Sequence, residues 1–175
     1  MEYYIRPCTE KHLPEILEIL NDAILHSTAL YDYKPRTMDT MRIWYDAKQK
    51  GNYPVIGIFD LDDTLLGFTS YGSFRNWPAY KYSVEHSIYI RSDKRGRGLG
   101  TILLKEIIKI AEGQDYHVLI GGIDALNSLS IQLHEKEGFV FCGTIKHAGF
   151  KFGKWLDLSF YELILETPKY PEQDR

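Results

Sequence analysis

Two kinds of residue within one short stretch could do chemistry. Val84-Glu85-His86-Ser87-Ile88-Tyr89-Ile90 sets a single carboxylate at the start of a mostly apolar run. Burial there disfavours the charged form, raises the carboxyl pKa and suits the group to taking a proton near neutral pH. An ion pair with Arg75 or Lys81 would explain the same residue, and on sequence alone the two readings weigh equally. Arg91-Ser92-Asp93-Lys94-Arg95-Gly96-Arg97-Gly98-Leu99-Gly100-Thr101 follows at once. Glycines let the backbone turn tightly and expose its N–H groups, and a helix start adds unpaired donors with a partial positive charge. Such a turn takes phosphate or pyrophosphate. It carries neither Gly-x-x-x-x-Gly-Lys-Ser/Thr nor Gly-x-Gly-x-x-Gly, because its glycines alternate at Gly96, Gly98 and Gly100.

A strand, a turn and a helix must hold these groups, and the pattern supplies all three. Alternation through Val84 to Ile90 reads as a strand with Glu85, Ser87 and Tyr89 on one face and His86, Ile88 and Ile90 on the other. Thr101 to Glu112 reads as a helix with Leu103, Leu104, Ile107, Ile108 and Ala111 as its apolar stripe, closed by Gly113. Before them come a short strand at Tyr3–Arg6 and a helix between Thr9 and Ile24, whose start Pro14 pushes later. A loop at Ala29–Pro35, a helix at Thr37–Lys50 and a hairpin of Pro54–Phe59 with Leu65–Tyr71 complete that half. Asp60 to Asp63 lack the spacing of a calcium loop and read as a solvated turn. Ser73–Ser83 is a loop dense in aromatics, and bulky aromatics in a loop either pack down or line a pocket. After the helix the pattern gives a strand at His117–Ile123, a helix from Asn127 to Gly138 and a strand at Phe139–Gly143. A hairpin tip at Phe150–Trp155, a last strand at Leu156–Leu165 and a frayed tail from Thr167 end the chain. The order β-α-α-β-β-β-α-β-α-β-β mixes an antiparallel meander with two right-handed crossovers, which is an α+β or mixed α/β fold.

Bulk properties narrow the partners. At 175 residues the chain reads as one domain, 1–166, with a tail at 167–175. Twenty-four acidic against 21 basic side chains give a net charge of -3, so the cluster at Lys94, Arg95 and Arg97 is local and suits a small anion rather than nucleic acid. Cys8 and Cys142 are too few and too scattered for a disulfide framework or a zinc site, so no metal is expected. The first residues show no signal-peptide pattern, and no apolar run reaches membrane-spanning length, which points to a cytoplasmic protein.

Other polar side chains have plain readings of their own. His134 alone is a surface or core-edge histidine on a short helix. His86 alone is a buried, hydrogen-bonded one. Asn127 is a helix N-cap. Arg75 offers a fork that grips a carboxylate or phosphinate, and Trp77, Tyr80 and Tyr82 in the same loop could wall a pocket.

Arg95-x-x-Gly98-x-Gly100, set after a strand and opening a helix, resembles the acetyl-coenzyme A motif of the GNAT N-acetyltransferase superfamily. The likeness extends to Ile5-Arg6-Pro7, to Asn127-x-x-Ser130 and to Leu133-His134-Glu135-Lys136-Glu137-Gly138-Phe139. Within the superfamily, Phe74-Arg75, Pro78-Ala79-Tyr80, Val84-Glu85-His86-Ser87-Ile88-Tyr89 and Ala148-Gly149-Phe150-Lys151-x-Gly153-x-Trp155-x-Asp157 resemble the phosphinothricin and methionine sulfone/sulfoximine N-acetyltransferases.

The resemblance implies a central mixed, twisted sheet flanked by helices and acetyl-CoA as co-substrate. It implies Glu85 as general base, acting through a water, and a catalytic role for His134, where many relatives carry a Tyr that protonates the departing sulfur. The coenzyme would be held by Arg95, Gly96, Arg97, Gly98, Leu99, Gly100 and Thr101 at the pyrophosphate. Ile88, Tyr89 and Ile90 would lie along the pantetheine arm, with Asn127 and Ser130 at its far end. The acceptor amine would meet Arg75, Asn76, Trp77, Tyr80, Glu85, His86 and Ser87. The implied partners are a small-molecule amine and a second copy of the chain, whose Phe150–Trp155 tip closes the pocket of a homodimer. A different acceptor (peptide N-terminus, polyamine or antibiotic amine) and a non-catalytic acyl-coenzyme A sensor are the competing readings.

Overall fold

In the computed structural model, which describes residues 2–173, four helices flank one seven-stranded sheet. The elements are β1 (Tyr4–Pro7), α1 (Leu13–His26), α2 (Met38–Lys50), β2 (Val55–Phe59), β3 (Leu65–Ser73), β4 (Ser83–Ile90), α3 (Leu99–Gly113), β5 (Val118–Asp124), α4 (Ser128–Lys136), β6 (Val140–Lys151) and β7 (Lys154–Ile164). The sheet runs β1-β2-β3-β4-β5-β7-β6, and every neighbouring pair is antiparallel except β4 with β5. This is the expected mixed α+β order, with the parallel pair at the β4-α3-β5 crossover.

Local chemistry explains the boundaries. A 3-10 turn at Glu10–His12 takes up the chain after Thr9, and α1 starts only at Leu13. Pro14 thus sits in the first helical turn, where a missing N–H costs nothing. Thr37 caps α2: its side chain accepts from the Thr40 N–H, and its own N–H donates to the Thr40 hydroxyl at 3.0 Å. β6 runs far beyond the expected Gly143, because register shifts at Phe141/Gly143 and Ile145/Gly149 break the alternation by which a strand is recognised. The chain after Thr167 is tied down rather than frayed. His117 Nδ1 lies 2.7 Å from the Thr167 carbonyl, and Tyr82 Oη both accepts from the Glu172 N–H and donates to its carbonyl. Residues 174 and 175 lie outside the described residues.

The sheet is covered on both faces. Leu13, Ile16 and Leu20 of α1 and Met41 of α2 pack on Val55, Phe59, Leu65 and Phe68. On the other face Leu104, Ile107 and Ala111 of α3 pack on Tyr71, Val84, Leu119 and Tyr161. Leu103 is fully buried with Ile58 and Leu66 beneath α3. Leu103→Ala should cost about 3 kcal/mol of stability, read as a lower denaturation midpoint at unchanged m-value.

Candidate active site

The site exists because β4 and β5 part company. They pair only over Ser83–Glu85 against Val118–Ile120, yet β4 runs on to Ile90 and β5 to Asp124. Beyond Glu85 the two strands border a cleft of about 490 Å³. Backbone direction follows from the ladder with β3. Arg91 N–H donates to the Leu66 carbonyl at 3.0 Å and Phe74 N–H to the Ser83 carbonyl at 3.3 Å. Antiparallel bonds alternate, so the odd-numbered residues of β4 spend their backbone groups on β3. His86, Ile88 and Ile90 therefore aim theirs at the gap. The Ile90 carbonyl accepts from Arg95 Nε at 3.3 Å, which folds that guanidinium over the end of the strand.

The glycine turn stands at the mouth. Gly96 and Gly98 have φ of +73° and +77°, left-handed values that a side chain at either position would strain. Gly98 is the N-cap of α3, and the first turn carries the unpaired N–H groups of any helix start. Lys94, Arg95, Gly96, Gly98, Leu99, Gly100 and Thr101 all line the cleft. Arg97 is exposed outside that lining. Asn127 and Ser130 border the cleft from the start of α4, where the Asn127 side chain accepts from the Ser130 N–H at 3.2 Å. The N-cap reading of Asn127 is thus observed, at a position that also faces the cleft.

Glu85 stands at the apex, the last residue of β4 to pair with β5. A Cβ built on Gly122 would lie 2.9 Å from Glu85 Oε1, so the carboxylate rests across β5 where only a glycine leaves room. Glu85 as a whole is open to solvent, but protein crowds its carboxyl group and that desolvation raises its pKa. The Arg75 guanidinium draws it partly back. Glu85 is thus a desolvated carboxylate with the Arg75 guanidinium in electrostatic reach.

Ser87 and Tyr89 share that face and line the cleft, and burial pushes the Tyr89 phenol up to about 12, which keeps it a hydrogen-bond donor. His86 and His134 meet on the opposite face, both buried, with their Nε2 atoms 2.9 Å apart. Burial lowers the pKa of each, so the pair is neutral near pH 7.

The aromatic loop departs from expectation. Arg75, Asn76 and Trp77 line a separate hollow with Ser73 and Phe74, and Trp77 is 67% exposed. Phe74 packs edge-on to Tyr80 and to Phe160, and Pro78–Tyr80 forms a 3-10 turn, which folds the loop upon itself. Arg75, Asn76, Trp77 and Tyr80 are therefore absent from the lining of the cleft of about 490 Å³, as is Glu85 itself, which stands at the cleft's apex on the opposite face from His86.

A wall that the sequence left unmarked takes their place. Thr28 and Tyr31, from the loop after α1, line the cleft with Asp124 and Leu158. Thr28 donates to Asp124, and Lys151 Nζ donates to the carbonyls of Ser27 and Leu30 at 2.9 and 2.6 Å. The Tyr33 hydroxyl reaches the Phe150 carbonyl at 2.8 Å. The hairpin tip thus closes on a loop of its own chain.

No cluster of three or more His, Cys, Asp or Glu suited to a metal occurs among the described residues, and no described helix is long and apolar enough to cross a membrane. Proteins of known kind resemble the chain over most of its length. The chain is 39% identical over 169 residues to the L-methionine sulfoximine/L-methionine sulfone acetyltransferase of Pseudomonas aeruginosa, covering 97% of this chain and 98% of that protein. A solved structure from Acinetobacter baylyi ADP1 matches with TM-score 0.98 at 55% identity, covering 99% of this chain and 97% of the other. The phosphinothricin acetyltransferase of Sinorhizobium meliloti, solved in complex with acetyl-CoA, matches with TM-score 0.93 at 30% identity, covering 98% and 93%. The family model for GNAT acetyltransferases matches residues 14–139, a stretch that carries β4, the glycine turn, α3 and α4. The chain belongs to the acetyltransferase (GNAT) family and is an acetyltransferase.

Proposed function

We propose that the protein moves an acetyl group from acetyl-CoA to the primary amine of a small amino acid analogue of the methionine sulfoximine, methionine sulfone or phosphinothricin kind. The observation that carries this is the parting of β4 and β5, with Glu85 at its apex and the α3 N-terminus at its mouth. The Arg95–Thr101 turn suits the pyrophosphate, and the cleft-facing backbone groups of Ile88 and the Ile90 N–H suit the amides of a pantetheine arm laid in as a strand.

The reaction is then a direct attack. Glu85, through a water, takes a proton from the acceptor ammonium, and the freed nitrogen lone pair adds to the thioester carbon. The oxyanion that forms takes a hydrogen bond from the Ile88 N–H. Its collapse breaks the C–S bond, and the sulfur leaves as a thiolate. The second proton, shed by the acceptor nitrogen as it becomes an amide, balances the protonation of that thiolate, with His134 as the candidate relay. No step calls on a metal ion. Ser87, the Tyr89 phenol, Tyr31 and Leu158 wall the acceptor, and Arg75 adds positive potential from the side of Glu85.

The same reading takes residues 1–166 as one catalytic domain of a cytoplasmic homodimer. In that dimer the Phe150–Trp155 tip, whose Phe150, Phe152 and Trp155 are each at least 46% exposed, closes the pocket of the second copy.

The test is thiol release from acetyl-CoA with a panel of acceptors. Saturable turnover is expected with at least one of methionine sulfoximine, methionine sulfone and phosphinothricin. Turnover confined to peptides or polyamines would overturn the substrate class, and tight coenzyme binding without turnover on any amine would leave a sensor.

A further inference from the structure

We propose that His86 is a positioning residue for His134: its Nε2–H holds the His134 ring in one tautomer and one orientation at the floor of the cleft.

The proton inventory assigns the tautomers. His134 Nδ1 lies 2.7 Å from the Ser130 carbonyl, which can only accept. Nδ1 therefore carries the proton, and in the neutral ring Nε2 is a bare lone pair. That lone pair faces His86 Nε2 at 2.9 Å, so His86 must be the donor of the bond. His86 Nδ1 is then the unprotonated nitrogen, and it is buried with no partner among the described residues. A histidine kept only for packing would not favour this arrangement, since a buried orphan acceptor costs about 1–3 kcal/mol. The bond His86 makes within ordinary hydrogen-bond geometry is the bond to His134, and the Ile120 carbonyl is its other polar neighbour.

The surroundings leave little else to hold either ring. Gly121 of β5 lies opposite both: a Cβ there would come within 3.2 Å of His86 Cε1 and 3.3 Å of His134 Nε2. Phe139 packs on both imidazoles with centroid distances of 5.3 and 5.0 Å. Burial, the neighbouring His134 and the Ile120 carbonyl bear on His86, and burial and the Ser130 carbonyl bear on His134. Glu85 points to the other face of the sheet. The chemical consequence is specific. The resting His134 has no proton aimed at the cleft, because one nitrogen donates to its own helix and the other accepts from His86. It donates to a leaving thiolate only after taking up a proton at Nε2, and His86 must release that atom first.

The experiment compares His86→Phe, which keeps ring volume but removes the donor, with His86→Gln, whose amide N–H₂ can reach the same acceptor. In the free protein, imidazole 15N shifts should show wild-type His134 protonated at Nδ1 and bare at Nε2. His86→Phe should raise the pH at which His134 takes up its second proton, since a bond that favoured the neutral ring is gone, and His86→Gln should move it back toward the wild type. The kinetic arm rests on the proposed role of His134. There His86→Phe should lower kcat about 10- to 100-fold at unchanged KM for acetyl-CoA, with partial rescue by His86→Gln. An unmoved His134 titration in folded His86→Phe would overturn the proposal, as would His86→Gln behaving like His86→Phe in both arms. His134→Phe with wild-type kcat would instead remove the role of His134, and the titration arm would still decide the coupling.

Discussion

With Glu85 as the proposed general base, Glu85→Gln should lower kcat/KM by about 10²–10⁴-fold, the range over which such a base contributes, while affinity for acetyl-CoA and the unfolding midpoint should stay at wild-type values. Glutamine keeps the shape and hydrogen-bonding reach of the side chain but cannot take a proton. The pH profile carries the sharper form of the prediction. The base works ionised, so kcat/KM falls as pH drops through its pKa. Desolvation raises that pKa above the ordinary carboxylate value, and Arg75 pulls it back. The acid limb therefore lies above that of a solvated glutamate, and Arg75→Gln should shift it to still higher pH. Retained activity in Glu85→Gln would remove the residue from its role. An acid limb that Arg75→Gln leaves in place would separate the limb from Glu85.

Gly122→Ala should cost about 100-fold in kcat/KM with little loss of stability, and the reason is geometric. The new Cβ would fall 2.9 Å from Glu85 Oε1, closer than such atoms approach. Its other near neighbours, Leu158 at 3.5 Å and Phe160 at 3.7 Å, are in ordinary contact. The carboxylate is the end of a flexible side chain, so it moves and the backbone does not. A base displaced by about 1 Å loses its attack geometry, and losses on the order of 10²-fold follow from shifts of that size. The turn proposed to hold the coenzyme, Arg95–Thr101, lies away from Gly122, so KM for acetyl-CoA should hold. Thermal unfolding and steady-state kinetics on the same preparation separate the effects. Full activity would mean that Glu85 does not need the space over Gly122, and a large loss of stability would mean that β5 itself is strained.

The sequence by itself determined the elements whose causes are local. The Val84–Ile90 strand, the glycine turn and the helix after it follow from alternation, from glycine's freedom at positive φ and from a helical apolar stripe. The helix expected from Thr37 follows in the same way, and the structure adds its cap, whose partner is three residues away. Alternation also told that Glu85 and His86 face opposite sides of the sheet.

Only the tertiary structure decided which strand edge stays open. A period of two assigns faces, not hydrogen-bonding neighbours, and so gives no sign that β5 leaves β4 after three residues. The partners that finish the site are far apart in the chain: His86 with His134, Thr28 with Asp124, Lys151 with Ser27 and Leu30. None of these side chains carries a local signal of its partner. Gly121 and Gly122 were silent for the opposite reason, since what they contribute is the absence of a side chain, which has meaning only once Glu85 and the two imidazoles are placed against them. The aromatic loop showed the limit most plainly: composition said that Trp77 and Tyr80 must pack or line a pocket, yet Tyr80 packs edge-on to Phe74, which rests on Phe160, while Trp77 meets only Tyr80 and stays exposed.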